Sequence, residues 1–178
     1  ERMMAEIIQH GGPLDCLVNN ASSFEPDEAS DFNVQALRLQ LEVNMLAPLH
    51  LSQMMVNSLP VQRSQDACIV HLLDQKVFNL NPDYFSYTVS KLALERSVAL
   101  QAQALAPRVR VCGVAPGLMF LSGPQTQENF DQASRINLLQ RAIDPGQVAA
   151  TCLFIAQNAA LNGVTLPVDN GQQIGRAS

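Results

Sequence analysis

This chain has little of several things. Lysine and tyrosine occur twice each, as Lys76 and Lys91 and as Tyr84 and Tyr87, among 178 residues. Charge is sparse as well, at 15% of residues with a formal net charge of −5, and the basic residues form no stripe. A chain without that electrostatic footprint makes a poor nucleic-acid ligand, so no nucleic-acid partner is expected. No apolar run approaches the roughly 20 residues that a helix needs to cross a bilayer. No signal-peptide pattern opens the sequence. No membrane partner is expected, and the expected location is cytoplasmic. The four cysteines, Cys16, Cys68, Cys112 and Cys152, are widely spaced, three in strand-like runs and Cys152 in a helix-like one. They read as small buried apolar residues in a reducing compartment, not as a disulfide frame. His10, His50 and His71 show no ligand spacing with cysteine or carboxylate, so no metal is expected.

What is present is a 47% hydrophobic chain, long enough for one domain, 1–178, with a real core. Both scarce residue types fall in the stretch from Ala67 to Lys91. The apolar run 67–73 reads as a buried strand that ends at Asp74. Tyr87 follows thirteen residues later and Lys91 four after that, inside a long helical pattern. Residues four apart share a helix face, so the phenol and the ammonium project together. A neighbouring cation favours phenolate, so Lys91 is expected to lower the Tyr87 pKa from its reference of about 10. That makes the phenol a usable proton donor near neutral pH. Asp74, at a strand's carboxyl end, lies where open α/β sheets bind ligands. On spacing alone two other readings stay open: a surface lysine that covers a tyrosine, and an Asp74 that caps a turn or pairs with Lys76.

The rest of the chain alternates. Met3/Ile7 and Met4/Ile8 predict a helix tail over 1–10, stopped by Gly11-Gly12-Pro13. Residues 15–20 read as a short parallel strand and 21–31 as a polar loop carrying Phe24. A helical pattern runs from Phe32 to Ser58 and is interrupted by Pro48. Proline has no N–H, so a kink is expected there that frees the Asn44 carbonyl to hold water. Residues 60–66 read as irregular, 84–105 as a helix and 109–114 as a strand that runs into Ala115-Pro116-Gly117. Residues 118–135, with Leu118, Met119 and Phe120 at their start, read as a long connection of the kind that forms lids. A helix over 145–158 and a strand over 164–168, ending in Asp169-Asn170-Gly171, close the pattern. Such alternation predicts an α/β fold, a doubly wound parallel sheet with helices on both faces.

Five ordered motifs carry a family likeness: Asn19-Asn20-Ala21, Asn44, Tyr87-x-x-x-Lys91, Pro116-Gly117 and Leu166-Pro167-Val168-Asp169. In order and approximate spacing they resemble the short-chain dehydrogenase/reductase family over the whole chain, which implies a Rossmann-like sheet. Asp74, where the family usually has serine, together with Asn20-Ala21-Ser22-Ser23-Phe24 and the closing Arg176-Ala177, is similar to the pteridine reductase subgroup. The resemblance implies Tyr87 as proton donor, with Lys91 lowering its pKa and holding ribose hydroxyls. It implies that Asp74 orients Tyr87 and passes it a proton, and that Asn44 holds a relay water. Asn20, Ala21, Ser22, Tyr87, Lys91, Pro116, Gly117 and Leu118 are then the cofactor-binding residues. Phe24, Asp74, Tyr87, Leu118, Met119 and Phe120 are the substrate-binding ones, with Phe24 stacking on a flat pterin ring. The implied chemistry is hydride transfer from NADPH, NAD not being excluded, to a C=N bond. At Met119 related loops often carry a small polar residue, which weakens side-chain recognition there.

The family begins with a strand and a glycine-rich turn for the cofactor phosphates, and no such turn occurs in these residues. The N-terminal, phosphate-binding half is therefore expected to be absent from this chain, as part of a longer polypeptide. Residues 16–18 would then lie on a bare sheet edge. Two alternatives remain: a family member that reduces a carbonyl of another small substrate, and a truncated assembly module without catalysis. Apolar residues around much of helices 32–58 and 84–105 suggest a second buried face, and the resemblance implies a homotetramer joined through it.

Overall fold

The structure is a computed structural model and describes residues 2–60, 67–121 and 126–175. Most of the stretch 60–66, four residues of the long connection and Arg176-Ala177 lie outside the described residues. The four strands are β1 (Cys16–Asn19), β2 (Ala67–Leu72), β3 (Val109–Pro116) and β4 (Thr165–Val168). All pair in parallel, in the order β1-β2-β3-β4. Their carboxyl ends therefore open on one edge of the sheet, and every candidate site residue on a strand outlet is delivered there.

The helices are α1 (Arg2–Gly11), α2 (Val34–Leu41), α3 (Ala47–Ser58), α4 (Phe85–Leu105), α5 (Gln127–Ala133) and α6 (Pro145–Gln157). One apolar cluster joins Ile69, Val111 and Ala115 of the sheet to Met4, Met55, Leu94 and Val98 of α1, α3 and α4. A second joins Cys68, Val70, Cys112 and Val114 to Val148 and Ile155 of α6. The sheet is thus covered on both faces, as the unalternating strand sequences require. Cys68 and Cys112 are buried, whereas Cys16 is exposed on the β1 edge with Val18, against the expectation of four buried thiols. No helix among the described residues is long and apolar enough to cross a membrane.

The expected Pro48 kink takes another form. Instead of one bent helix, α2 and α3 are joined by a π-turn over Glu42–Leu46, and the Ala47 N–H bonds back to the Glu42 carbonyl. The extra residue carries the helix past the proline without breaking it, and turns of this kind are frequent at functional sites. Helix α5 was not expected. Its polar sequence carries no apolar period, and Thr126 starts it by accepting the Asn129 N–H at 3.2 Å.

In β2 one side chain breaks the apolar pattern. His71 of β2 is fully buried, with Nδ1 3.2 Å from Asn19 Nδ2 and Nε2 3.1 Å from Gln101 Nε2. Burial, the largest cause, and the Lys91 charge lower its pKa from 6.5 to about 4, against a raising bond from Gln101. The unfolded chain therefore binds the proton first. Stability tied to His71 is complete above pH 6.5 and drains as pH falls toward 4, by about 3 kcal/mol at most. Urea unfolding at pH 7 and pH 4.5 should show a larger loss in the parent protein than in His71→Gln; equal losses would refute this.

Candidate active site

The outlet of β2 sets the geometry. Asp74 caps the tight turn Gln75–Val77, its Oδ1 accepting the Lys76 N–H at 2.8 Å. The turn aims the other carboxylate oxygen at α4, where the Tyr87 hydroxyl donates to Oδ2 at 2.9 Å. The two carboxylate oxygens thus divide, one capping the turn and the other accepting the Tyr87 hydroxyl. Pairing with Lys76 does not hold, because that ammonium reaches Asn81 and Asp83 instead.

Lys91, one helical turn beyond Tyr87, is 2% exposed and donates to the Leu72 carbonyl at 2.9 Å. Its Nζ stands 5.7 Å from the centre of the Tyr87 ring. An ammonium carries three donors, so the bond to Leu72 leaves capacity toward the mouth of the sheet. Burial brings the Lys91 pKa down to about 8, with Asp74 opposing. Burial also raises Asp74 above the usual carboxylate range, against lowering bonds from Lys76 N–H and Tyr87. Tyr87 departs from expectation: burial and then the Asp74 carboxylate push its pKa up, not down. Burial disfavours the phenolate first, and orientation adds to it. The phenol oxygen faces the anion, while the cation is held by a backbone carbonyl. All three groups hold their protons more tightly or carry less charge than they would in water, as a dry pocket demands.

Asn44 lies in the π-turn and is completely buried. Its Oδ1 accepts the Ser23 N–H at 2.8 Å and the Ser22 hydroxyl at 3.0 Å. Its Nδ2 donates to the Ser23 carbonyl at 2.9 Å and to Ser90 Oγ at 3.0 Å. The side chain therefore pins the loop after β1 to α4, one turn from Tyr87. Asp27 adds a second tie, its Oδ1 accepting the Ser86 N–H at 2.9 Å at the start of α4. Between these ties the Phe24 and Tyr87 rings stand perpendicular, with centres 4.6 Å apart.

Asn20, Ala21 and Ser22 are exposed at the same edge. Pro116 and Gly117 are buried at the outlet of β3, and Leu118 and Met119 are half-buried. A Cβ on Gly117 would stand 3.1 Å from the Asp169 Cα, so glycine lets the two strand outlets close together without pushing Asp169 aside. Asp169 in turn accepts the Gly171 and Gln173 N–H groups at 2.9 and 2.7 Å, which gives the closing motif a structural role. Met119 packs on the second core cluster, whereas Phe120 is 62% exposed.

Comparison with known proteins agrees with this geometry. The profile of a family described as enoyl-(acyl carrier protein) reductase matches residues 1–173. The chain belongs to the short-chain dehydrogenase/reductase family. Within it the likeness is to the pteridine-reductase-like subgroup. Pteridine reductase 1 of Leishmania tarentolae is 31% identical over 94% of this chain and 66% of that protein. Dihydromonapterin reductase of Escherichia coli is 22% identical over 95% of this chain and 70% of that protein. The crystal structure of FolM alternative dihydrofolate reductase 1 from Brucella canis, complexed with NADP, superposes with a TM-score of 0.92 at 34% identity. It covers 99% of this chain and 70% of that one. The chain thus spans about two thirds of the length of these family members, between 66% and 70%.

Two residues of the site escaped the sequence reading. Tyr84 starts α4 in the left-handed region, at φ 55° and ψ 51°, which costs a non-glycine residue about 1–2 kcal/mol. Its ring lies parallel to Phe24, with centres 4.1 Å apart and planes 11° apart. Lys76 is 6% exposed, with its Nζ 5.7 Å above the Tyr84 ring. Their rarity was the available signal, since the chain has only two residues of each type.

Proposed function

We propose that this chain carries the substrate-binding and proton-delivering part of an NADPH-dependent reductase acting on the C=N bond of a pterin-like substrate. The single observation that carries the reading is the 2.9 Å bond between Tyr87 and Asp74 at the mouth of the sheet, beside Phe24. A carbonyl reductase needs only the phenol. A buried carboxyl held toward its neutral form adds a proton source for a ring nitrogen.

The donor set fits the nicotinamide half of the cofactor. Lys91 offers an ammonium for hydroxyls, and Asn20, Ala21 and Ser22 offer a loop with small side chains at the same edge. Pro116, Gly117 and Leu118 offer backbone at the next strand outlet. NADPH supplies the hydride when bound. Tyr87 gives its hydroxyl proton to the substrate nitrogen, and Asp74 returns one across the existing bond. Phe24 offers a flat face, with Leu118, Met119 and Phe120 bordering the same edge. The Asn44 carbonyl, denied its helical donor by Pro48, holds a water that leads toward Lys91. The relatives' names, which include a pteridine, a dihydromonapterin and a dihydrofolate reductase, and the NADP in the Brucella structure support substrate and cofactor alike.

The test is absorbance at 340 nm with NADPH and dihydrobiopterin. Oxidation is the expected result. Turnover of a simple ketone without pterin turnover would replace this reading with the carbonyl-reductase one. A homotetramer is part of the proposal, supported by exposed Leu39 on α2, Leu46 at the end of the π-turn and Leu100 on α4. Light scattering should give four protomer masses, and Leu100→Glu should lower that number; a monomeric parent protein would count against the assembly.

A further inference from the structure

We propose that Lys76 is a positioning residue that holds the aromatic wall of the substrate site, acting through Tyr84 on Phe24. The inference rests on the functional reading above and extends it to a residue outside the proton-transfer set.

The observations begin with an unusual placement. An ammonium is among the groups most expensive to bury, yet the Lys76 side chain is only 8% exposed. All its partners lie in one short segment. Nζ donates to the Asn81 side-chain oxygen and, at 3.1 Å, to the Asp83 carbonyl. It stands 3.5 Å from the Asp83 carboxylate and lies over the face of Tyr84. One cation thus gathers residues 81, 83 and 84 from the inside. At its other end the Lys76 N–H is fixed to Asp74 Oδ1. The residue spans the distance from the proton-relay carboxylate to the start of α4.

The gathered segment delivers Tyr84 in a backbone conformation that a tyrosine does not adopt unaided. A strained residue persists only when its surroundings over-determine it, and here the surroundings are the Lys76 bonds and the Thr88 N–H on the Tyr84 carbonyl. The held ring covers one face of Phe24, and Tyr87 stands perpendicular to it. Phe24 sits on a loop, and a loop ring packed on one side by a fixed neighbour presents its remaining face at a defined depth. Loss of the cation frees the segment to relax, the Tyr84 ring leaves Phe24, and the stacking wall for a flat substrate loses definition. Lys91 is held by the Leu72 carbonyl, and a side-chain change leaves the Lys76 backbone N–H on Asp74 in place, so the Tyr87–Asp74 bond and the chemical step are retained. The lost charge only lets Asp74 rise further toward its neutral form.

The test compares Lys76→Met, which removes the donors and the charge, with Lys76→Arg, which keeps both. The protein is assayed with NADPH and dihydrobiopterin. In Lys76→Met the KM for the pterin should rise by about tenfold, the scale of one aromatic stacking contact. The kcat and the KM for NADPH should stay within about twofold, and Lys76→Arg should restore the pterin KM. Asn81→Ala, which removes one partner and leaves the cation, should give a smaller rise of the same kind, and it serves if Lys76→Met does not fold. Near-UV circular dichroism is an arm that needs no turnover. The difference spectrum of Lys76→Met should show loss of the tyrosine band at about 275–280 nm that a stacked Tyr84 produces. If the parent protein fails to oxidise NADPH with the pterin, the functional reading falls, and the dichroism still decides whether Lys76 holds Tyr84. Unchanged pterin KM and unchanged dichroism would overturn the proposal. So would an equal loss in kcat and in both KM values, which marks a general structural role.

Discussion

Replacing Tyr87 by Phe should lower kcat for pterin reduction by about a hundred- to ten-thousand-fold, the range for loss of a positioned general acid. The substitution removes one hydroxyl whose bond, to Asp74 Oδ2 at 2.9 Å, lies in the buried site. The ring contact with Phe24 and the packing of α4 are kept, so binding of NADPH should change little. Asp74, deprived of its phenol donor, is left with the Lys76 N–H alone and moves further toward its neutral form. The pH profile gives a companion reading. Asp74 is raised by burial, and its acid form is the one that resupplies Tyr87. The protonated fraction falls as pH rises, so kcat of the parent enzyme should decline on the alkaline side of that raised value. Asp74→Asn should lose that limb along with most of the rate. A Tyr87→Phe protein that keeps more than about a tenth of the parent kcat would remove the phenol from the mechanism.

The second large effect is expected at Asn44, and it is structural before it is chemical. Asn44→Ala deletes two bonds to the Ser23 backbone, one to the Ser22 hydroxyl and one to Ser90, all from a side chain with no solvent contact. Deleting a buried partner leaves the remaining groups desolvated, at about 1–3 kcal/mol for each group that water cannot reach. Ser90 is buried, whereas the Ser23 loop is part-exposed and water can rescue it. A loss of about 2–4 kcal/mol in unfolding free energy is therefore expected by urea titration. The freed loop carries Phe24, so the pterin KM should rise as well. A relay through backbone-held water predicts something different, since Ala keeps its carbonyl. An Asn44→Ala protein of parental stability and pterin KM would show that the side-chain clamp is not what the residue supplies.

The fold was legible because its signals are local and repeated. Unalternating apolar runs at 67–73 and 109–114 announce strands covered on both faces, and β2 and β3 are buried along their whole length. Proline and capping residues placed the ends of α4 and α6 to within a residue. The helix over 32–58 was legible as a helix but not as two helices joined by a π-turn. Proline announces a disturbance, and the neighbouring packing decides whether it becomes a bend or an inserted residue. Helix α5 was invisible because its seven residues, five of them polar, carry no apolar period to read.

At the site, Tyr87, Lys91 and Asp74 could be found from spacing and from the scarcity of lysine and tyrosine. The sign of the Tyr87 shift could not. Spacing placed the ammonium on the same helix face as the phenol, but not which way each polar end turns. The structure gives the phenol oxygen to Asp74 and the ammonium to the Leu72 carbonyl. For Phe24, sequence supplied a flat ring in a polar loop, and tertiary contacts supplied its company, Tyr84 stacked on one face and Tyr87 perpendicular to it.

By itself the sequence determined the alternation of strands and helices and the presence of a phenol, an ammonium and a carboxyl at fixed intervals along the chain. Those are one-dimensional facts, set by side-chain period and by which residues interrupt it. Only the tertiary structure decided which oxygen faces which proton, that Lys76 is buried against its own loop and that Asn44 is a clamp. Hydrogen bonds and desolvation depend on direction and on depth. Neither is defined until strands far apart in the chain open on one edge.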